Sequence, residues 1–294
     1  MTLSPKVSVV VPHYNDLKSL DLCLEALSDQ TFARDDMEIV VADNGSPQGE
    51  AALRDLIAGR ARLVVVEVRG AGPARNGGVS ASLGTILAFT DSDCRPDARW
   101  LAEGVRALEM GVDFVGGRMD VLVDDPRRLT AAEAFEMEFA FDNEAYVKGR
   151  GFTVTANLFC SRKMFDDVGG FKVGVPEDKE WCWRAGSMGY RIGYAPGAIV
   201  GHPARRSWDE LSAKWRRLSS EAFSLAVLQP SGRLRWLLKS CALPMSAVVH
   251  TPRVLCSKRL ATFRQKAAGL AVLYRLRMWR CIDGLRLLAT ERSA

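Results

Sequence analysis

Four short apolar runs, each closed by turn chemistry and separated by segments of helical periodicity, constrain this chain more than any other feature. Val7-Ser8-Val9-Val10-Val11 starts after Pro5 and stops at Pro12, and Met37-Glu38-Ile39-Val40-Val41-Ala42 ends in Asp43-Asn44-Gly45-Ser46-Pro47. The third run, Leu63 to Val68, leads into a glycine-rich stretch, Gly70 to Gly78, and the fourth, Ile86-Leu87-Ala88-Phe89, ends in Asp91-Ser92-Asp93. Near-continuous apolar strands need cover on both faces, and crossover helices between parallel strands supply it. Leu17, Leu20, Leu24 and Leu27 recur at helical spacing after an N-capping Asp16, and a short helix over about 49–58 follows the second run. The expected fold is α/β, a Rossmann-like, mostly parallel doubly wound sheet.

In such a sheet, ligands bind beyond the carboxyl ends of the strands. Four loops should meet on that rim: 12–16, 43–46, 70–76 and 91–93. They offer a ring (Tyr14), carboxylates (Asp43, Asp91, Asp93) and a cation at a helix start (Arg75). Those groups suit a nucleotide: a ring for the base, acceptors for base and ribose, and a metal for the pyrophosphate. Asp91 and Asp93 repel one another, and a divalent cation relieves that repulsion while gripping a phosphate. Each residue also has an ordinary reading as a turn former, a cap or part of a packed loop. The glycine-rich stretch lacks the Lys-Ser/Thr of a P-loop and strict Gly-x-Gly-x-x-Gly spacing, so by itself it says little.

Downstream, the pattern predicts a helix over 100–110, a strand at 114–117, a helix over 131–147 and a strand over 154–159. A helix over 178–188 and short strands at 191–194 and 198–202 follow. Glu177 and Asp178 stand at a helix start, where acids are favoured by the helix dipole. Alternatively, one of them removes a proton from an attacking hydroxyl. Trp181 and Trp183 are two apart and cannot share a helix face, so one suits a sugar ring and the other the core. His202, at the end of an apolar strand, reads equally as a metal or phosphate contact and as a satisfied histidine.

With 294 residues the chain has room for one large domain, or one domain and an appendage. Its seven cysteines include no Cys-x-x-Cys pair, which argues against a zinc site or disulfide framework and fits a reducing compartment. Met1 to Lys6 leads straight into a strand, so no secretory leader is expected, and no apolar run is long enough for a transmembrane helix.

Charge divides the chain. Residues 205–294 hold 18 Lys/Arg against 5 Asp/Glu, whereas the first 204 hold 22 against 30. This basic extension reads as helices over 207–228, 233–249 (strained at Pro244) and 257–288. Lys214-Trp215-Arg216-Arg217, Arg233 to Lys239 and Arg275 to Arg280 interleave cations with tryptophans and leucines, which suits an anionic membrane surface. The competing reading is a helical extension that packs its leucines on the body. No nucleic acid is expected, since no recognised binding module is present.

Val-Ser-Val-Val-Val-Pro-His-Tyr-Asn at 7–15, Val-Ala-Asp-Asn-Gly-Ser at 41–46, Gly-x-Ala-Arg-Asn-x-Gly at 72–78, Asp-Ser-Asp at 91–93 and Glu-Asp at 177–178 together resemble family 2 glycosyltransferases with the GT-A fold. The resemblance runs in order over about residues 6–204, and the region from about 206 does not match the shared core. It implies a catalytic domain over 1–205, with a nucleotide-sugar half to about 115 and an acceptor half over 116–205, followed by the helical region 206–294. It implies donor binding by Pro12, Tyr14, Asp43, Arg75 and Asp91, and a divalent cation, Mg²⁺ or Mn²⁺, held by Asp93 with Asp91 and His202. It implies acceptor contacts from Asn157 and Glu177, with Asp178 as the catalytic base of an inverting transfer; the sugar-ring reading of the tryptophan pair adds Trp181 to the acceptor contacts. The expected donor is a UDP-sugar, ahead of dTDP- or GDP-sugars. The expected acceptor is a saccharide or lipid-linked saccharide of envelope or exported polysaccharide. The expected location is cytoplasmic, peripheral on the inner face of the cytoplasmic membrane. Two rivals are a catalytically inactive GT-A-fold binding or scaffold protein and a sugar-phosphate nucleotidyltransferase. The latter needs a Gly-rich loop with Thr-Arg and a lysine where this chain has Pro12-His13-Tyr14-Asn15.

Overall fold

The computed structural model describes residues 5–290. In chain order the elements begin β1 (Val7–His13), α1 (Leu17–Ser28), β2 (Met37–Asp43), α2 (Gly49–Ile57), β3 (Arg62–Val65), α3 (Ala71–Ala81), β4 (Ile86–Phe89) and β5 (Arg95–Pro96). They continue with α4 (Trp100–Glu109), β6 (Phe114–Leu122), α5 (Ala131–Phe139), α6 (Asn143–Arg150), β7 (Leu158–Ser161), α7 (Arg162–Val168), α8 (Glu177–Ser187) and β8 (Ile192–Pro203). Three long helices follow: α9 (Trp208–Val227), α10 (Gly232–Leu255) and α11 (Phe263–Thr290).

The chain divides into two compact units. The first takes residues up to Asp120, Asp142–Val173 and Glu177–His202; the second takes Val121–Phe141, Gly174–Pro176 and Pro203 onward. The first is built on one sheet, ordered β3-β2-β1-β4-β7-β6-β8-β5. β1 is buried at every position because parallel strands flank it on both sides, β2 and β4, with β3 parallel beyond β2. Asp16 caps α1, its carboxylate accepting from the Ser19 N–H at 3.0 Å.

Past β4 the doubly wound expectation gives way to a mixed sheet. β7 pairs antiparallel with β4, β6 antiparallel with β7, and β5 antiparallel with β8. The sequence predicts a strand over 154–159, but a 3-10 turn, Thr155–Asn157, delivers β7 where a crossover helix would deliver a parallel strand. The two short strands expected at 191–194 and 198–202 are one, β8. β3 stops at Val65, beyond which the Asn44 side-chain amide donates to the Val66 and Val68 carbonyls, at 2.9 and 2.7 Å.

A single helix over 131–147 is also not what forms. α5 ends at Phe139, and α6 starts at Asn143, whose buried amide donates to the Gly117 carbonyl at 2.6 Å and to Thr153 Oγ1 at 2.9 Å. The break falls where the chain passes between units. Residues 121–141, grouped by sequence with the acceptor half, pack in the second unit.

There, Phe135 of α5 shares a core with Leu211, Ala247, Leu260, Leu273 and Leu276. Buried Glu136 of α5 accepts from Lys214 Nζ at 2.6 Å and from the Arg205 N–H at 2.7 Å. Ser207 caps α9 as expected, accepting from the Glu210 N–H at 3.2 Å. α10 continues past Pro244 and Pro252 to Leu255, and α11 starts only at Phe263, after Thr262 and Gln265 exchange capping hydrogen bonds. The tryptophans of the basic extension face inward: Trp236 is buried and donates to the Gly284 carbonyl at 3.0 Å, and Trp208 meets Trp279 edge to face. Exposed apolar residues include Leu234, Leu238, Met245, Val248 and Val249 of α10 and Phe263, Met278 and Ile282 of α11. Among the described residues, no helix is long and apolar enough to cross a membrane. The secretory-leader expectation begins at Met1–Ser4, which lie outside the described residues.

Candidate functional site

Parallel register places the last residues of β1 and β2, His13 and Asp43, side by side. Their side chains meet, with His13 Nδ1 and Asp43 Oδ1 at 2.9 Å, and the Ser46 hydroxyl donates to the same carboxylate oxygen. Asp43 Oδ2 takes the backbone N–H groups of Gly45 and Ser46, at 3.1 and 2.9 Å. Burial works to raise the Asp43 pKa, but the Ser46 and His13 hydrogen bonds outweigh it, and the net shift is downward. Asp43 is thus filled by its own loop. Pro12 lies buried within β1 just before this lock.

After the lock the chain turns outward. Asn15 adopts φ 57°, a left-handed conformation asparagine tolerates, with its N–H on Ser46 Oγ at 2.8 Å. Tyr14 is left half-exposed, with the Arg69 guanidinium 5.8 Å from its ring centroid. An open aromatic face beside a locked carboxylate is a surface on which a flat ring can stack.

Arg75 joins the next two loops. Its side chain is only 3% exposed, and its two terminal nitrogens pair with Asp91 and Glu177 respectively. Gly72, one turn earlier on α3, permits this approach: a Cβ there would lie 2.7 Å from Glu177 Oε2 and 3.2 Å from Phe171 Cβ. The two acids also hold the Arg75 charge well above its ordinary pKa, against the opposing effect of burial. Its Nε is buried without a partner.

Asp178, next to Glu177 at the start of α8, is half-buried and accepts the Lys179 N–H at 2.8 Å. Burial pushes its pKa up, opposed by the charges of Lys179 and Arg75. A carboxylate lifted in this way is a better proton acceptor than a surface aspartate.

The turn after β4 is closed by the Cys94 N–H on the Asp91 carbonyl at 3.0 Å. β5 then pairs Arg95 with Gly201, which brings His202 of β8 beside that turn. His202 Nε2 lies 3.5 Å from Asp93 Oδ2, and ligand atoms of Asp93, Cys94 and His202 fall within 4.8 Å of one another. Cys94 was not anticipated from sequence; its only signal is adjacency to Asp93. Burial, with the charges of Asp91 and Asp93, pushes its thiol well above the ordinary range. A carboxylate and an imidazole fit a divalent cation that takes its remaining ligands from diphosphate oxygens and water.

Two expected site residues are not brought here. Trp181 is fully buried, edge to face with Phe114 and stacked on Phe165, and its indole N–H donates to the Gly169 carbonyl at 2.9 Å. Its neighbour Trp183 is the half-exposed one. Asn157 is also fully buried. It donates to the Arg118 and Ala198 carbonyls at 3.0 and 2.9 Å and accepts from Trp100 Nε1 at 3.0 Å, so both amide hydrogens are spent on the sheet.

Comparison with known proteins adds to this geometry. The glycosyl transferase family 2 model matches residues 8–174. The glycosyltransferase AglE of Haloferax volcanii is 34% identical over 219 residues, which cover 72% of this chain and 71% of that protein. The pre-mycofactocin glycosyltransferase of Mycobacterium tuberculosis is 27% identical over 234 residues, 76% of this chain and 48% of its own length. Among solved structures, the mannosyltransferase PcManGT from Pyrobaculum calidifontis, in complex with GDP-Man and Mn²⁺, superposes with a TM-score of 0.61 at 23% identity. That superposition covers 99% of this chain and 87% of the mannosyltransferase.

Proposed function

We propose that this chain, which belongs to glycosyl transferase family 2, is an inverting, divalent-cation-dependent glycosyltransferase. It moves a sugar from a nucleotide-sugar donor to a hydroxyl of a saccharide or lipid-linked saccharide in envelope or exported polysaccharide synthesis. Its fold is GT-A-like α/β with C-terminal helices. We assign the chemistry to residues 1–205.

The observation that carries the reading is the buried Arg75 bridging Asp91 to Glu177, which sets Asp178 at the start of α8 beside that pair. Tyr14 stacks on the nucleobase at the rim defined by the Asp43 lock, and Asp91 accepts a ribose hydroxyl while Arg75 holds it in place. Glu177, fixed by the same guanidinium, orients the acceptor. Asp178 takes the proton of the acceptor hydroxyl as its oxygen bonds to the anomeric carbon. The bond from that carbon to the diphosphate oxygen breaks on the opposite face, so the anomeric configuration inverts. Asp93 and His202 would hold the divalent cation, which supplies positive charge to the leaving diphosphate when bound. The donor is a UDP-sugar in this reading, with GDP- and dTDP-sugars as the alternatives a thermal-shift screen in Mn²⁺ separates.

Asp178→Asn tests the assignment. It should lower transfer by at least about 10²-fold while leaving donor affinity unchanged. Near-full turnover would remove Asp178 from the role.

A cytoplasmic location at an anionic membrane surface completes the reading. Supporting it, Leu234, Leu238, Met245 and Val249 follow helical spacing along one exposed face of α10, among Arg233, Arg235 and Lys239. Flotation with anionic vesicles at low salt tests this; full-length chain that stays in solution rules it out.

A further inference from the structure

In the second unit, α9 and α11 are joined by a ladder of arginines and tryptophans. The Arg275 guanidinium lies 3.8 Å from the Trp208 ring centroid, and the Arg280 guanidinium lies 3.8 Å from that of Trp215. Arg216 sits 5.6 Å over Trp279, which itself meets Trp208 edge to face. Arg277 lies one turn before Arg280 on α11.

None of Arg216, Arg275, Arg277 and Arg280 makes an ion pair or hydrogen bond among the described residues. The Nε atoms of Arg277 and Arg280 are buried without partners, and so is the indole N–H of Trp215. Asp283, one turn beyond Arg280, attracts it but forms no ion pair with it, and its own Oδ2 is buried without a partner.

Such an arrangement works against the fold. Desolvating a guanidinium without a counter-ion is unfavourable, and an apolar side chain of similar size would pack there at less cost. Burial, with repulsion from Arg277, pushes the Arg280 pKa down to about 10. Stacking on the Trp215 indole, however, fixes the Arg280 guanidinium plane and leaves its N–H edge free, which is the geometry that grips phosphate oxygens, and Arg277 lies one turn away on the same helix. Two guanidinium forks one turn apart, which repel one another, and a spare indole N–H match the charge and oxygen count of a phosphate monoester or diphosphate.

We infer that Arg277 and Arg280, with Trp215, form a phosphoryl-binding site in the α9–α11 layer. It takes a terminal phosphate or diphosphate, either on a lipid headgroup or free in solution. The site lies wholly in the second unit and uses none of the groups assigned to sugar transfer.

Titration calorimetry on the full chain, with inorganic pyrophosphate, no divalent cation and low salt, tests it. Wild type should bind at one site, and Arg277→Gln/Arg280→Gln should weaken binding at least about tenfold. Should the glutamine variant fold poorly, Arg277→Lys/Arg280→Lys keeps the charge but removes the forks, and it should also bind more weakly. Absence of binding by wild type, or equal affinity in a folded double variant, overturns the proposal. Tighter binding of a short RNA than of pyrophosphate also overturns it, in favour of a phosphodiester backbone. Vesicles containing phosphatidic acid, compared with phosphatidylglycerol at equal charge, identify the source. A phosphatidic-acid preference that disappears in the double variant marks a headgroup. Pyrophosphate binding lost without any change in vesicle binding marks a soluble phosphate.

Discussion

Replacing Arg75 with methionine keeps the length of the side chain and removes the charge that holds Asp91 and Glu177 together. Deleting one partner of a buried ion pair costs about 3–5 kcal/mol, because the remaining charge is stranded. Here the stranded carboxylates keep 32% and 23% exposure, so water recovers part of their solvation. The expected loss is therefore about 2 kcal/mol, or about 3 °C in Tm for a chain of this size. Calorimetry of wild type, Arg75→Met, Glu177→Gln and the double variant tests the bridge directly. Neutralising Glu177 should restore a substantial part of the loss, since the acid no longer needs its partner, and the cycle should be strongly non-additive. Kinetics gives a second reading. Arg75 draws Asp178 toward its ionised form. Without that charge the Asp178 pKa rises further, and the acid limb of the kcat/KM profile moves to higher pH. Additive melting temperatures together with an unmoved acid limb would refute the account of Arg75 as the tie between these acids.

Three further outcomes follow from the same geometry. The folded-state pKa of Asp178 lies above its unfolded value, so its stabilising contribution is present below the unfolded pKa and lost as pH rises through the folded one. Asp178→Asn should therefore melt at or above wild type at neutral pH, with the advantage shrinking toward about pH 4, as denaturation across pH would show. Gly72→Ala places a methyl 2.7 Å from Glu177 Oε2, so the carboxylate must swing away from Arg75; KM for the acceptor should rise several-fold and the Tm should fall, by less than in Arg75→Met. Trp181→Ala empties the centre of an aromatic cluster and should cost about 3–5 kcal/mol, whereas Trp183→Ala, at a half-exposed position, should cost far less in a urea titration.

Much of the first half was legible because its signals are local. The valine and isoleucine runs of β1, β2 and β4 announce strands, and Asp16 and Ser207 announce helix starts. What was missed depends on distant partners. Nothing near Leu158 says that β7 will run antiparallel to β4, because that follows from the turn at Thr155–Asn157 and from where the Asn157 amide finds carbonyls. The break at 140–142 is hidden by apolar spacing that continues through it. Parity showed that Trp181 and Trp183 must part ways, but only the packing of Phe114 and Phe165 decides which enters the core. The meeting of Cys94 with His202 rests on β5, a strand of two residues that no periodicity could reveal.

That brevity has its own consequence. A two-residue strand is the kind of element that opens locally without the rest of the sheet, because few hydrogen bonds resist its fraying. When β5 leaves β8, Asp93 and His202 lose their common frame. Ligand affinity at that pair is thus tied by linkage to a local opening equilibrium. Amide hydrogen exchange should register the tie, with slower exchange at Gly201 and at Asp97, whose N–H bonds the Ile199 carbonyl at 2.9 Å, whenever the two side chains are held together.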